Sequence, residues 1–393
     1  MRIGYFASSF PYRDPRTDKV LTPYAYGGVE NGTYQLAKQM AKRNHDVFVF
    51  TTSSNGRNSY EEYDNIHIYR YGKNFSIGRA PISLVSLYKP IISDIKLDIA
   101  HARLGNLPVP LTGYWYSKRH SIPCVVSYHG DWDGSFGSFS RRLSVFLFNN
   151  LLCDYILSNA DKIIALSEEH AHESKFLSKY LDNMVFIPNG LNLEEFEISY
   201  TKEECRENLG LPGNAKILLF LGSLTSIKAP DVLVKSMKIV LDSIPDAYLV
   251  IAGEGSMKQA LIELVETLGL GASIRFPGFV SDYKTQYYKA ADVFVLPSRH
   301  EAFPNVLLEA SASGLPIVVS DIPSVRAIVH EGYNGLFAQI GDEVDVAQKI
   351  VYLLLNEEVR RELGMNARTK CEKFTWDAVA TKTEQLYRSL LNG

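Results

Sequence analysis

Two carboxylates, Glu301 and Glu309, stand in the stretch ADVFVLPSRHEAFPNVLLEASASG between Ala291 and Gly314. The apolar run Val293–Leu296 suits a strand buried on both faces. A polar loop from Pro297 to Phe303 follows, then a helix expected to open at Pro304, where a missing N–H costs nothing, and to close at Gly314, where a left-handed residue ends the last turn. Glu309 sits among Val306, Leu307, Leu308 and Ala310. Its carboxylate is therefore expected to be partly buried and to need a donor, which sugar or ribose hydroxyls would supply. The plainer reading is two surface charges on a helix. A buried strand leading into an open helix N-terminus, with a carboxylate on each side, suits a phosphorylated sugar.

Other chemistry-bearing residues are spread along the chain. Gly222–Pro230, GSLTSIKAP, carries Lys228, either a point charge for a diphosphate or a solvated loop lysine. Gly27 and Gly28 precede Val29-Glu30 at the start of a helical pattern, where backbone can approach a phosphate closely. The G-x-G-x-x-G spacing of a nicotinamide site is absent after the first strand. His129-Gly130-Asp131 follows an apolar run, as does His101; a lone His is more often structural than catalytic. Gly253-Glu254-Gly255 reads as a strand-to-helix turn.

The elements that must hold these residues alternate in type. Ile3–Ala7, Val47–Thr51, Ile66–Tyr69, Ile99–Ala102, Cys124–Tyr128 and Lys162–Leu166 read as strands of a first half. Ile217–Gly222, Tyr248–Ala252, Ser273–Phe276, Val293–Leu296 and Ile317–Ser320 repeat the rhythm in a second. Helical patterns lie between, such as Val29–Arg43 with Leu36, Ala37, Met40 and Ala41 on one face. The alternation predicts two parallel, doubly wound sheets, whose ligands lie beyond the carboxyl ends of their strands. Ile187-Pro188-Asn189-Gly190 punctuates the chain, so the domains are expected at 1–188 and 189–375. A last helix, 376–391, is expected to pack back on the first.

Composition sets the class. The 393 residues suit two cores, and 46% hydrophobic with 22% charged residues describes an ordinary globular protein. The first 190 residues carry +4 and the remainder −7, giving the net −3; this is chance variation or a mildly basic half that meets anionic lipid or acceptor. No basic stripe points to nucleic acid. The scattered cysteines Cys124, Cys153, Cys205 and Cys371 suggest reduced thiols in a cytoplasmic setting and no zinc site. No apolar segment approaches the roughly 20 residues of a membrane span, and the N-terminus reads as a strand rather than a signal peptide.

Together these motifs resemble the retaining family-four glycosyltransferases, also called glycosyl transferases group 1, whose GT-B fold sets two Rossmann-like domains face to face around a cleft. The resemblance spans nearly the whole chain. It rests on GGVE at 27–30, HGD at 129–131, IPNG at 187–190, GSLTSIKAPD at 222–231, GEG at 253–255, PGFV at 277–280 and EAFPNVLLE at 301–309. It implies that Glu301 contacts the donor sugar and Glu309 the ribose. Lys228 would neutralise the diphosphate with backbone N–H groups of Asn305, Val306 and Leu307, in an element completed by Phe303 and Pro304. Backbone near Phe279 and Val280 would receive the base, Gly27 and Gly28 would approach the diphosphate, and His129 would touch the sugar near its C6 hydroxyl.

The phosphate loop departs from the family pattern. Ser223 stands where the family usually has Arg, and Arg299 or Arg103 are the candidate substitutes. A second departure is Pro304 where many relatives have Gly. The expected reaction moves a sugar from a UDP- or GDP-linked donor to a hydroxyl of a glycan or lipid-linked acceptor, without cofactor or metal. The acceptor region is expected in the first half, near Phe10–Tyr26 and Phe136–Phe148; the latter could make a peripheral membrane contact, the plainer reading being a helix packed on the first domain. A nucleotide-sugar epimerase, a sugar phosphorylase and a non-catalytic nucleotide-sugar-binding subunit are the alternatives.

Overall fold

A computed structural model describes residues 1–14, 20–21, 28–77, 80–105, 108–131 and 139–392, without the side chains of 20, 21, 28, 29, 77, 80, 140 and 141. Gly27 and Phe136 lie outside the described residues, as does most of the loop before Gly28. The chain forms two compact units, one of Met1–Gly190 with Trp376–Gly393, the other of Leu191–Thr375.

The first unit is built on an eight-stranded sheet. Its strands are β1 (Arg2–Phe6), β2 (Asp46–Thr52), β3 (Ser59–Tyr63), β4 (Ile66–Tyr71), β5 (Ile99–Leu104), β6 (Cys124–Tyr128), β7 (Lys162–Ala165) and β8 (Met184–Phe186). They lie in the order β8-β7-β6-β5-β1-β2-β4-β3, all parallel except the edge strand β3. The strand order reverses between β1 and β5, and ligands of such sheets gather at the carboxyl ends beside this switch. All six residues of β5 are buried, including His101 and Arg103.

The helix Gly28–Lys42 turns Leu36, Ala37, Met40 and Ala41 onto this sheet, joined in one core by Trp376, Val379, Ala380, Leu386 and Tyr387 of the last helix, Trp376–Asn392. Polar contacts fix that helix further. The Arg43 guanidinium donates to Asp377, Thr381 and Glu384, and Tyr387 and His101 bond at 2.5 Å. Gly190 must be a glycine, because a Cβ there would come within 2.6 Å of the Trp376 ring. This is a packing reason for the last residue of IPNG.

The second unit carries β9 (Lys216–Leu221), β10 (Ala247–Ala252), β11 (Ile274–Gly278), β12 (Val293–Leu296), β13 (Ile317–Ser320) and β14 (Gly335–Ala338). Their order, β11-β10-β9-β12-β13-β14, is all parallel and is the Rossmann arrangement. Its switch point lies between β9 and β12. Val293–Leu296 is fully buried, as a strand between two layers of helices must be.

Candidate active site

In the second unit the loops leaving β9 and β12 meet at the switch point. The Arg299 N–H donates to the Ile227 carbonyl at 2.7 Å, and the Arg299 guanidinium reaches the Ser226 carbonyl at 2.5 Å and Asp231 at 3.3 Å. Between these ties, Lys228 Nζ lies 2.6 Å from both carboxylate oxygens of Glu301. Ser298 Oγ donates to Glu301 Oε1 at 2.7 Å, and Ser324 Oγ to the Glu301 carbonyl at 2.6 Å. Glu301 is 7% exposed, so this carboxylate is held by three polar contacts in a dry setting.

Local geometry explains the lysine's position. Ala229 takes the left-handed conformation at φ 48°, which costs an L-residue about 1 kcal/mol or more, and it is buried. The kink ends the loop before the helix Pro230–Ser243 and leaves Lys228 beside Glu301. The GEG turn packs under the same loop: the Leu224 N–H donates to the Glu254 carbonyl, and a Cβ on Gly253 would overlap the Gly222 carbonyl. GEG is thus a turn whose first glycine lets two site loops touch.

Glu309 has its own partners. Lys284 Nζ donates to Oε1 at 2.7 Å and the Tyr288 hydroxyl to Oε2 at 2.9 Å. Burial, then the nearby Glu309 charge, holds the Tyr288 phenol well above its usual range, so it stays a donor. Lys284 and Tyr288 are one turn apart on the helix Lys284–Ala290, where residues four apart share a face. That spacing was readable; its convergence on Glu309, from another element, was not.

The expectations for Pro304, Arg299 and Arg103 are corrected. The helix runs Asn305–Ala312, with Pro304 extended as its N-cap rather than its first residue. The Leu307 N–H donates to the Pro304 carbonyl, so of the backbone donors expected at 305–307 this one is engaged. Arg299 stitches two loops and is not a free substitute for the family arginine. Arg103 lies within β5 rather than after it, in the first unit. Ser223 is exposed and Phe303 buried against Phe374, while Phe279, beyond β11, is 75% exposed and Val280 partly buried.

The first unit contributes a different group. His129 follows β6, and its Nε2 is out of solvent with no partner among the described residues. Burial, then the Arg103 charge, pushes the imidazole well below its usual range, so it is neutral at pH 7. Asp131 instead ties the loop down, accepting from Tyr128 and Ser174. Gly28 opens its helix, and Glu30 of the same motif accepts from Ser9. Thus Lys228, Arg299 and Glu301 gather at one switch point, Glu309 sits farther along the following helix, and His129 belongs to the other unit.

Comparison with known proteins covers both units. The family model Glycosyltransferase Family 4 matches residues 26–195, and Glycosyl transferases group 1 matches 201–370. An uncharacterised glycosyltransferase of Methanocaldococcus jannaschii is 35% identical, over 93% of this chain and 95% of its own. The UDP-Gal:alpha-D-GlcNAc-diphosphoundecaprenol alpha-1,3-galactosyltransferase of Escherichia coli is 30% identical, over 76% of each. Among solved structures, Anabaena HepE in complex with UDP and glucose superposes with a TM-score of 0.72 at 18% identity, over 99% of this chain and 100% of that one.

Proposed function

Because this chain belongs to the glycosyl transferases group 1, the family-four glycosyltransferases of GT-B fold, we propose that it transfers a sugar from a UDP- or GDP-linked donor with retention of configuration, without a metal. Glycosyltransfer itself follows from the family. The observation that carries the finer reading is the Lys228–Glu301 pair at the switch point between β9 and β12.

The reaction breaks the bond between C1 of the sugar and the diphosphate oxygen, and forms one from C1 to the acceptor hydroxyl. Negative charge grows on the leaving diphosphate, where Lys228 and the N–H groups opening the helix Asn305–Ala312 stabilise it. The acceptor proton passes to the leaving phosphate oxygen on the same face of the sugar. Glu301 orients the sugar hydroxyls, and Glu309, already anchored by Lys284 and Tyr288, takes the ribose hydroxyls. Phe279 offers an exposed ring to the base.

The acceptor we infer is a glycan or a lipid-linked sugar. Along the helix Phe139–Leu147, Phe139 is 81% and Phe146 61% exposed, with Leu143 and Leu147 also outward and Phe148 buried. That face suits a membrane surface presenting a lipid-linked acceptor. Among the described residues no helix is long and apolar enough to cross a membrane, so the contact proposed is peripheral.

The test is a binding screen of UDP-, GDP- and ADP-sugars followed by transfer to lipid-linked and free-sugar acceptors, with EDTA present. Glu301→Ala and Lys228→Ala should each lose most of the transfer while remaining folded. Near-wild-type turnover in either variant, or a strict metal requirement, would overturn the mechanism.

A further inference from the structure

The first unit holds a second cluster that the reaction above leaves without a task. Arg103, 5% exposed, lies at the carboxyl end of β5, the strand beside the β1/β5 switch. Its Nε has no hydrogen-bond partner, and among the described residues no carboxylate pairs with it. A pocket opens at this place in the first unit; Arg103, Ser127, His129, Asn189 and Thr383 are its polar lining, and Trp376 with aliphatic side chains makes up the rest. Its cavity volume is about 20 Å³, on a scale where one water needs roughly 10–15 Å³. It therefore admits one or two oxygen atoms and not a sugar ring.

The electrostatics of this pocket are one-sided. Burial brings the Arg103 guanidinium down to about 10, with the Tyr5 and Tyr387 phenols opposing, so it remains charged at pH 7. Both phenols are held up by burial and stay neutral. Arg103 in turn helps keep His101 and His129 unprotonated. His101 is committed to Tyr387 and Ser127 at 2.5 and 2.6 Å, whereas His129 Nε2 is unpartnered. A water could bridge polar atoms here, but it would leave a buried positive charge without a counter-charge, which proteins avoid.

We propose that Arg103 and His129 form an oxyanion subsite, which receives the tip of a phosphate or carboxylate group carried by a substrate of this transferase. The inference rests on the glycosyltransferase reading and names a feature of its substrate. A guanidinium matches the two-oxygen edge of either anion, and neutral His129 can donate one further hydrogen bond. The anion has two sources, an acidic group on the acceptor or the diphosphate of the donor.

The experiment uses the full chain as wild type, Arg103→Met and Arg103→Lys, with inorganic phosphate as the first probe. Thermal midpoints are measured in phosphate and in chloride of equal ionic strength. Wild type should be stabilised by phosphate, as expected of a ligand that binds only the folded state. Arg103→Met should lose that response, Arg103→Lys should keep part of it, and in chloride Arg103→Met should melt no lower than wild type, since it removes an uncompensated charge. No response in wild type, an equal response in Arg103→Met, or a marked loss of stability in chloride would overturn the proposal and leave an ordered water at most.

Two further arms separate the sources. UDP affinity is compared between wild type and Arg103→Met, and KM is compared for acceptor sugars with and without a phosphate or carboxylate. A roughly 10- to 100-fold loss confined to UDP assigns the subsite to the donor; one confined to acidic acceptors assigns it to the acceptor. No loss in either arm overturns it. The phosphate titration requires no turnover, so a failure of the transferase reading would be seen separately.

Discussion

The Lys228–Glu301 pair makes a quantitative prediction in the absence of substrate. The side chains are 24% and 6% exposed, and both carboxylate oxygens lie 2.6 Å from one ammonium. Lys228→Met leaves a buried carboxylate with only Ser298 as side-chain donor. Breaking a fully buried pair costs about 3–5 kcal/mol; the partial exposure of Lys228 lowers this to about 2–3. For a domain near 200 residues that is a drop in Tm of roughly 5–10 °C. Glu301→Gln leaves a lysine that can turn to water, and should cost only about 1 kcal/mol. In the double variant most of the first cost disappears, because no buried charge remains. The assay is a double-mutant cycle from urea and thermal unfolding of the full chain. A coupling energy of at least 1 kcal/mol is expected, and additivity within about 0.5 kcal/mol would refute the pairing. UDP binding by Glu301→Gln, measured in parallel, should be at least as tight as in wild type, since the carboxylate competing for Lys228 is gone.

Two other predictions concern the frame. Gly253→Ala should lower the stability of the second unit, because the residue has φ +149° and a Cβ would overlap the Gly222 carbonyl; unchanged unfolding in urea would refute the loop contact. Burial alone would raise the Glu384 carboxyl, but hydrogen bonds from Arg388 and Arg43, with His45 3.2 Å away, overcome it and hold the pKa at about 2. A folded pKa below the unfolded value of roughly 4.3 means the contribution is complete above pH 4.3 and is lost as pH falls toward 2. The stability gap between wild type and Glu384→Gln should close across that window, and a gap constant down to pH 2 would refute it.

How much of this was legible in the sequence depends on where the deciding contacts lie. The alternation of apolar runs and amphipathic stretches was sufficient for two doubly wound sheets, because parallel strands covered on both sides leave continuous apolar runs. In the two main sheets, the strands that pattern reading omitted are Ser59–Tyr63, Met184–Phe186 and Gly335–Ala338. All three lie at sheet edges. SYEEY shows why: paired on one side only, it keeps charged residues and no apolar run. In the site, the strand, loop and helix around Glu301 could be read locally. The partners of the carboxylates could not, since Lys228 and Lys284 reach Glu301 and Glu309 from other elements. The burial of Arg103 was invisible for the same reason. A lone arginine ending an apolar run reads as the first solvated residue after a strand, and only the neighbouring strands and the last helix cover it.

The two units are both doubly wound but treat charge at their switch points in opposite ways. In the second, each carboxylate has its own lysine, so the site is electrically compensated and held in place before a donor arrives. On the proposed reading a diphosphate must then compete with Glu301 for Lys228, and the hydroxyls of the sugar must replace the contacts that Glu301 gives up. Such a site binds a complete nucleotide sugar better than a bare diphosphate, because only the former satisfies both partners of the pair it separates. In the first unit no carboxylate among the described residues pairs with Arg103, so an anion entering there displaces none of them. On the proposed reading, Ser223 in place of the loop arginine leaves the donor's phosphates one cationic partner fewer, and the two arms of the Arg103 test decide which anion the buried guanidinium receives.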